Sequence, residues 1–257
     1  FLETNQGITL YRPQLFMTHM VTGNCQPYLA VPEGVLIAEC RQEGDIPVHV
    51  LSDPDLLNNH GLSLGRNANV AVDVIAGLVP DVIRKFPWPK SMRWGAGQLR
   101  WVRPLQSILC LFDGEIVALD VDGIEAGNVT RGHRFMGPEA FTVSGFEDYE
   151  TKLKAHHVML RTDERMDTIR ASARDLAFAK GLELIEDEAL LGETAGLVEW
   201  PVVLMGEFDK AFLDVPPEVI ITSIKSHQKC FSAATKDGGL SNNYLLVSNL
   251  IAKDGGQ

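Results

Sequence analysis

The sequence predicts an α+β fold, with mixed antiparallel strands and helices in two subdomains. Two stretches carry helical periodicity, two adjacent apolar runs are joined by a hairpin signal, and no regular βαβ rhythm links them. Residues 68–86 place Val70, Val74, Leu78 and Val82 at steps of four, and Pro80 is expected to kink or interrupt that helix. Gln106–Phe112 and Glu115–Val121 read as strands around Asp113-Gly114, a type I′ turn signal. Residues 163–180 give the clearest helix. Thr162 is its expected cap, Asp163 and Glu164 suit the positive end of its dipole, and Gly181 stops it. Its buried stripe is Met166, Ile169, Ala173, Leu176 and Ala177. A helix over 187–199, a buried strand Pro201–Met205, a helix from Pro217 towards Lys229 and a strand Tyr244–Ser248 complete the order. Residues 1–67 hold turn formers (Pro13, Gly23, Pro27, Pro32) and little periodicity, so no elements are assigned there.

Composition divides the chain more sharply than periodicity does. Residues 1–67 contain Arg12, Arg41 and Arg66 against seven acids, with no lysine. Between Asp81 and Asp113 there is no acid, yet Arg84, Lys85, Lys90, Arg93, Arg100 and Arg103 fall there, with Trp88, Trp94 and Trp101. Residues 113–257 carry 25 acids against 14 bases. The net charge of −11 opposes general nucleic-acid affinity, so any contact with phosphate has to come from a local patch. No run of about 18 apolar residues suggests a membrane span, and nothing at the start reads as a leader. Cys25, Cys40, Cys110 and Cys230 lie far apart with no CxxC pair, so free thiols in a reducing cytoplasm are expected.

Three basic segments are candidate sites, each with a plainer alternative. In Phe86–Gly95, Pro87 and Pro89 hold the backbone extended and present Lys90, Arg93 and Trp94, with Arg100 and Arg103 beyond. Arginine forks pair with phosphate and indoles stack on unpaired bases. Equally, the tryptophans would plug the core beneath solvated arginines. Gly127–Phe135 puts Arg131, His133 and Arg134 on a glycine-bounded loop suited to an anion, or to pairing with nearby acids. Lys225, His227, Gln228 and Lys229 close a helix, where cations also complement its negative end; Ile220, Ile224 and Phe231 are expected to face inward. His156 and His157, neighbours on an expected helix, point about 100° apart and do not chelate one metal. Glu186, Asp187 and Glu188 favour a helix dipole over acid–base work. Cys230 near His227 lacks a third, orienting group for a thiol nucleophile. No P-loop, GxGxxG or GxSxG motif is present.

From about residue 70 onward the chain resembles the beta subunit of the bacterial two-subunit glycyl-tRNA synthetase. Seven ordered blocks carry the resemblance: Phe86–Gly97, Leu99–Leu105, Gly127–Phe135, Leu197–Gly206, Pro216–Ile221, His227–Phe231 and Val247–Asn249. It implies a cytoplasmic, non-catalytic chain without a cofactor of its own, contributing tRNA-Gly binding and assembly. An alpha subunit uses ATP, with Mg, and glycine, usually in an alpha2 beta2 heterotetramer. The three basic segments coincide with family blocks, which favours RNA or subunit contact for their side chains. Residues 1–67 do not resemble the family and are consistent with a misread frame or a truncated gene. Residues 68–257 read as the beta-subunit core, ending at Gly255–Gln257 ahead of the family's helical and anticodon-binding domains. Two rival functions remain: a scaffold docking the alpha chain without touching RNA, and an editing hydrolase of mischarged tRNA, for which no hydrolytic residue is evident.

Overall fold

The computed structural model describes residues 67–251 continuously. Before them it describes residues 23–32, 34–41 and 47–51, with positions 2–3, 9–10, 15 and 21. Pro13, Arg12, Arg66 and Gly255–Gln257 lie outside the described residues. The chain forms two compact units, Phe1–Asn128 and Val129–Gln257. Helices and mostly antiparallel strands in several small sheets make both units, so the α+β expectation holds.

In the first unit, β1 (Leu2–Glu3) pairs with β2 (Thr9–Leu10). Then β3 (Cys25–Val31), β4 (Gly34–Arg41) and β5 (Pro47–Leu51) form an antiparallel sheet in that order. Val35, Leu36, Ile37 and Ala38 make β4 its buried centre. Pro27 lies within β3, at the sheet edge, where a missing N–H interrupts no inner ladder. Cys25 and Cys40 are direct cross-strand partners and are joined by a disulfide. The expectation of four free thiols is thus corrected: the hairpin brings together two cysteines that look remote in sequence. Cys110 and Cys230 are free.

Helix α1 (Asn67–Lys85) continues through Pro80, which is buried, and the expected break does not occur. Its Val70 and Val74 pack with Leu36 and Ile37, whereas Val72, Ile75, Val79 and Ile83 join a second cluster around Leu99, Val117, Leu119 and Val121. The expected stripe in steps of four fails at Val82, which is exposed. Each such step advances about 400°, so three of them drift roughly 120° around the helix. Beyond α1, the two expected strands break into two-residue pieces: β6 (Ile108–Leu109), β7 (Leu111–Phe112), β8 (Glu115–Ile116) and β9 (Asp120–Val121). Asp113 and Gly114 join β7 to β8 with positive φ, as the turn signal predicts. Asp122-Gly123 makes a second such turn into β10 (Ile124–Gly127), which pairs with β9 and, in parallel, with β6.

The second unit opens with the ribbon β11 (Val129–Arg131) and β12 (Ala140–Thr142), followed by α2 (Phe146–Ala155). His156 and His157 fall just past α2, His157 with positive φ, so they are loop residues and not helical neighbours. Helix α3 (Thr162–Ala179) starts one residue early: Arg161 takes the cap position and Thr162 makes no cap bond. Gly181, at φ +71°, stops it as expected. Four antiparallel strands follow, β13 (Leu182–Leu184), β14 (Val202–Glu207), β15 (Phe231–Thr235) and β16 (Leu240–Ser248), in the sheet order β13-β15-β16-β14. Alternate residues Phe231, Ala233, Leu245, Val203 and Met205 turn one face towards α3 and α4 (Glu188–Ala195). Ile169 and Ala173 from α3, with Leu190, Leu191 and Ala195 from α4, complete that core. Asp187 caps α4 by accepting the Leu190 N–H at 2.9 Å. The expected Pro217 helix is α5 (Pro217–Ser223) running into a π turn, Ile224–Gln228. Phe231, placed on that helix from the sequence, instead begins β15.

Candidate nucleic-acid interface

The basic stretch of the first unit is clamped at its base by aromatic rings. Trp88 lies 4.6 Å from Phe86 and 4.9 Å from Trp101, centroid to centroid. Met92 and Trp101 exchange backbone hydrogen bonds of 2.9 and 3.2 Å, so the two arms of the loop close on each other. Trp94 packs with Leu99 into the core around Val117 and Val121. Leu99 is further pinned by its N–H, which donates to Asp122 Oδ2 at 3.2 Å. The plainer reading of the indoles is therefore right in part: they hold the loop together.

Those anchors leave the cations outside. Lys90, Arg93, Arg100 and Arg103 are all exposed. Arg93 donates to Gln98 Oε1 at 2.9 Å, Arg100 to Ser91 Oγ at 3.2 Å and Arg103 to the Val102 carbonyl at 2.9 Å. Each of these partners is neutral. Among the described residues no carboxylate pairs with any of the four. Arg84 differs, lying 3.7 Å from Asp81 and 3.9 Å from Asp122.

In the second unit, residues 132–137 form a tight loop between β11 and β12. A Cβ on Gly132 would sit 2.3 Å from His156 Cβ, and one on Gly137 would sit 2.6 Å from the His156 carbonyl oxygen. Only glycine allows that approach. The His133 N–H donates to the His156 carbonyl and the Gly137 N–H to the His133 carbonyl, both at 2.9 Å. His133 Nδ1 accepts from the Phe135 and Met136 N–H groups, each at 3.2 Å. That pattern assigns the ring proton to Nε2. His133 is only 1% exposed, so it staples the loop from inside, and the expectation that it offers a surface contact is corrected. Arg131 and Arg134 are exposed; Arg131 donates to the Pro138 carbonyl at 3.1 Å. Phe135, which the sequence reading passed over, stands at the loop's tip at 71% exposure, with the Arg134 guanidinium 5.8 Å above its ring.

The third segment behaves differently. Lys225 pairs with Asp187, and Lys229 with Glu193 at 2.8 Å, so both lysines are engaged by α4. His227 and Gln228 are exposed. Lys225, together with the Leu190 N–H, holds the Asp187 carboxyl below its usual range. Burial pushes the Cys230 thiol up, and its Sγ lies 3.2 Å from the Gln228 carbonyl. A neutral, buried thiol makes a poor nucleophile, which opposes the Cys–His reading. Glu186 and Glu188 pair with Arg174 and Arg170. Among the described residues no three His, Cys, Asp or Glu side chains are placed to hold a metal, and no helix is long and apolar enough to cross a membrane.

Known proteins agree with the ordered blocks. A family model described as "Glycyl-tRNA synthetase beta subunit" matches residues 63–257. The chain is 53% identical over 191 residues to the glycine–tRNA ligase beta subunit of Paracoccus denitrificans (strain Pd 1222), covering 73% of this chain and 28% of that relative. It is 54% identical over 190 residues to the glycine–tRNA ligase beta subunit of Ruegeria sp. (strain TM1040), covering 72% and 28%. The chain thus spans a little over a quarter of the length of the curated relatives it matches. A match over most of the chain, supported by relatives at more than half identity, places this protein in the glycyl-tRNA synthetase beta-subunit family.

Proposed function

We propose that this chain is the tRNA-binding and assembly core of the beta subunit of a cytoplasmic glycine–tRNA ligase. An alpha subunit carries the bond-making step with ATP, Mg and glycine, and the working enzyme is an alpha2 beta2 heterotetramer. The observation that carries the reading is the set of four exposed cations, Lys90, Arg93, Arg100 and Arg103, fixed on an aromatic-clamped loop without a carboxylate partner among the described residues. In a protein of net charge −11, a cluster of exposed cations without carboxylate partners among the described residues is a local patch able to attract a polyanion. The clamp also lowers the conformational cost of binding, because the loop is already closed in the free chain.

The test is a salt titration of tRNA-Gly binding by the full-length chain with its alpha partner. Each phosphate neutralised contributes about −0.9 to the slope of log affinity against log salt for duplex and about −0.7 for single strands. A Lys90→Gln/Arg93→Gln/Arg100→Gln/Arg103→Gln variant is expected to flatten that slope by about 3 to 4 while still assembling. An unchanged slope together with loss of the alpha chain overturns the reading in favour of a scaffold.

A further inference from the structure

The loop 132–137 presents an exposed phenylalanine beside an arginine with no carboxylate partner among the described residues, on a closely packed support, and a cavity opens at its side. We infer that this tip captures a single unpaired RNA nucleotide, with Phe135 stacking on the base and Arg134 meeting the adjoining phosphate. The inference rests on the proposed tRNA-binding role and adds to it a second site, in the Val129–Gln257 unit, separate in composition and mode from the basic stretch of the first unit.

Four observations converge on that occupant. First, exposing Phe135 is costly in water, and the surrounding structure holds it there on purpose. His133 Nδ1 ties down both the Phe135 and Met136 N–H groups, and Gly132 and Gly137 sit against His156 where no side chain fits. A loop fixed this way loses little entropy on binding. Second, the Arg134 guanidinium is 5.8 Å from the Phe135 ring centroid and has no carboxylate partner among the described residues, so ring and charge act as one platform. Third, no acid occurs between Glu125 and Glu139, whereas Arg131 and Arg134 both do, in a chain rich in acids elsewhere. Fourth, a cavity of about 500 Å³ is lined by Phe135, Arg134, Leu197, Met159, Glu199 and Asn249 among others. That is within the usual range for a small-molecule or nucleotide pocket. Leu197, 65% exposed, supplies a second apolar wall, and the Glu199 carboxylate and the Asn249 side-chain NH2 offer groups for a base edge, Asn249 Oδ1 already accepting from the Glu199 and Trp200 N–H groups at 2.7 and 3.0 Å.

Arg165 also lines the cavity but is a brace and not a ligand. Its guanidinium donates to the carbonyls of Ala195, Met159 and Leu160 at 2.8, 2.5 and 2.9 Å, which leaves its fork occupied. The wall is therefore rigid on that side as well.

The test compares Phe135→Ala, Phe135→Trp and Arg134→Gln in the full-length chain assembled with its partner, using tRNA-Gly as probe. Phe135→Ala is expected to weaken binding about 5- to 100-fold with an unchanged salt slope, because stacking carries no counterion term. Phe135→Trp is expected to retain affinity, and Arg134→Gln to flatten the slope by about one. Since Phe135 is exposed, an unchanged thermal midpoint shows that the variants fold. Wild-type affinity in Phe135→Ala overturns the site; if the four-fold variant of the basic stretch still weakens binding, the tRNA reading survives it. Intact tRNA affinity with loss of the alpha chain makes the tip a protein-docking surface instead. Absence of any tRNA binding by the wild-type complex overturns both.

Discussion

Two basic stretches of this chain, residues 90–103 and 225–229, look alike as strings of cations, yet their charges end in opposite circumstances. Around Lys90, Arg93, Arg100 and Arg103 the chain supplies serine, glutamine and a backbone carbonyl. Around Lys225 and Lys229 it supplies Asp187 and Glu193 from opposite ends of α4. The difference is not in the cations. It lies in which acids the fold carries to them, from more than thirty residues away in the paired case. A basic run is therefore evidence for a polyanion site only after the neighbouring elements have been placed.

The largest expected effect sharpens the open side of that comparison. On the proposed reading, four contacts make tRNA affinity fall on the order of a hundredfold between 50 and 200 mM salt, and the four-fold glutamine variant loses most of that dependence. Its folding stability should move by no more than about 0.5 kcal/mol per site, because all four side chains are exposed. Chemical denaturation beside the binding titration checks both halves. A large stability loss would mean that the arginines brace the loop and are not held in reserve for a ligand.

Next in size is the glycine-lined loop, whose backbone packs directly against His156. Gly137→Ala brings a Cβ to 2.6 Å from the His156 carbonyl oxygen, a backbone atom that cannot swing aside. Overpacking of that kind costs about 1–3 kcal/mol, read as a lowered denaturation midpoint with an unchanged m-value. Gly145→Ala, where a Cβ meets nothing within 4 Å, is the control and should cost far less.

The paired side has its own test in Asp187. It caps α4 through the Leu190 N–H and holds Lys225, so Asp187→Ala should cost about 1 kcal/mol, the usual value of a lost cap. The sign of the pH dependence follows from its lowered carboxyl. The group stabilises the fold fully above the ordinary carboxylate range and loses that contribution as pH falls through its depressed folded value. Wild-type stability should therefore decline more steeply than that of Asp187→Ala on the acid side, below about pH 4. Parallel acid limbs would show that the Lys225 pair contributes nothing.

Much of the second unit was legible from local pattern. The stripe Ile169, Ala173 and Ala177 and the stop at Gly181 are where helical spacing puts them, because a long amphipathic helix on an antiparallel sheet obeys one period. The first unit was less so. Its strands β6 to β9 are two residues each, too short for alternation to register, and α1 buries two faces against separate clusters. The site divided the same way. Exposed arginines on an acid-free run could be read from composition. His133 as a buried staple and Phe135 as an exposed tip could not, since both depend on how closely Gly132 and Gly137 approach His156. A six-residue segment opening and closing with glycine was the only hint. The Cys25–Cys40 pair was hidden likewise, because its register belongs to the hairpin and not to spacing.

The smallest expected effect is the one that would break the comparison outright. Lys225→Gln/Lys229→Gln removes two positive charges from a segment that, as sequence, is as basic as the open one. Partly exposed pairs of this kind are worth about 0–1 kcal/mol each, and Asp187 keeps its bond from the Leu190 N–H when Lys225 is gone, so the stability change should be slight. Charges already committed to Asp187 and Glu193 release few counterions when RNA arrives. The slope of log tRNA affinity against log salt should then shift by well under one unit, against about 3 to 4 for the open stretch. A drop of about two would show that the lysines leave their carboxylates for phosphate. In that case pairing within the free chain does not predict which cations meet the polyanion, and the distinction between the two stretches fails.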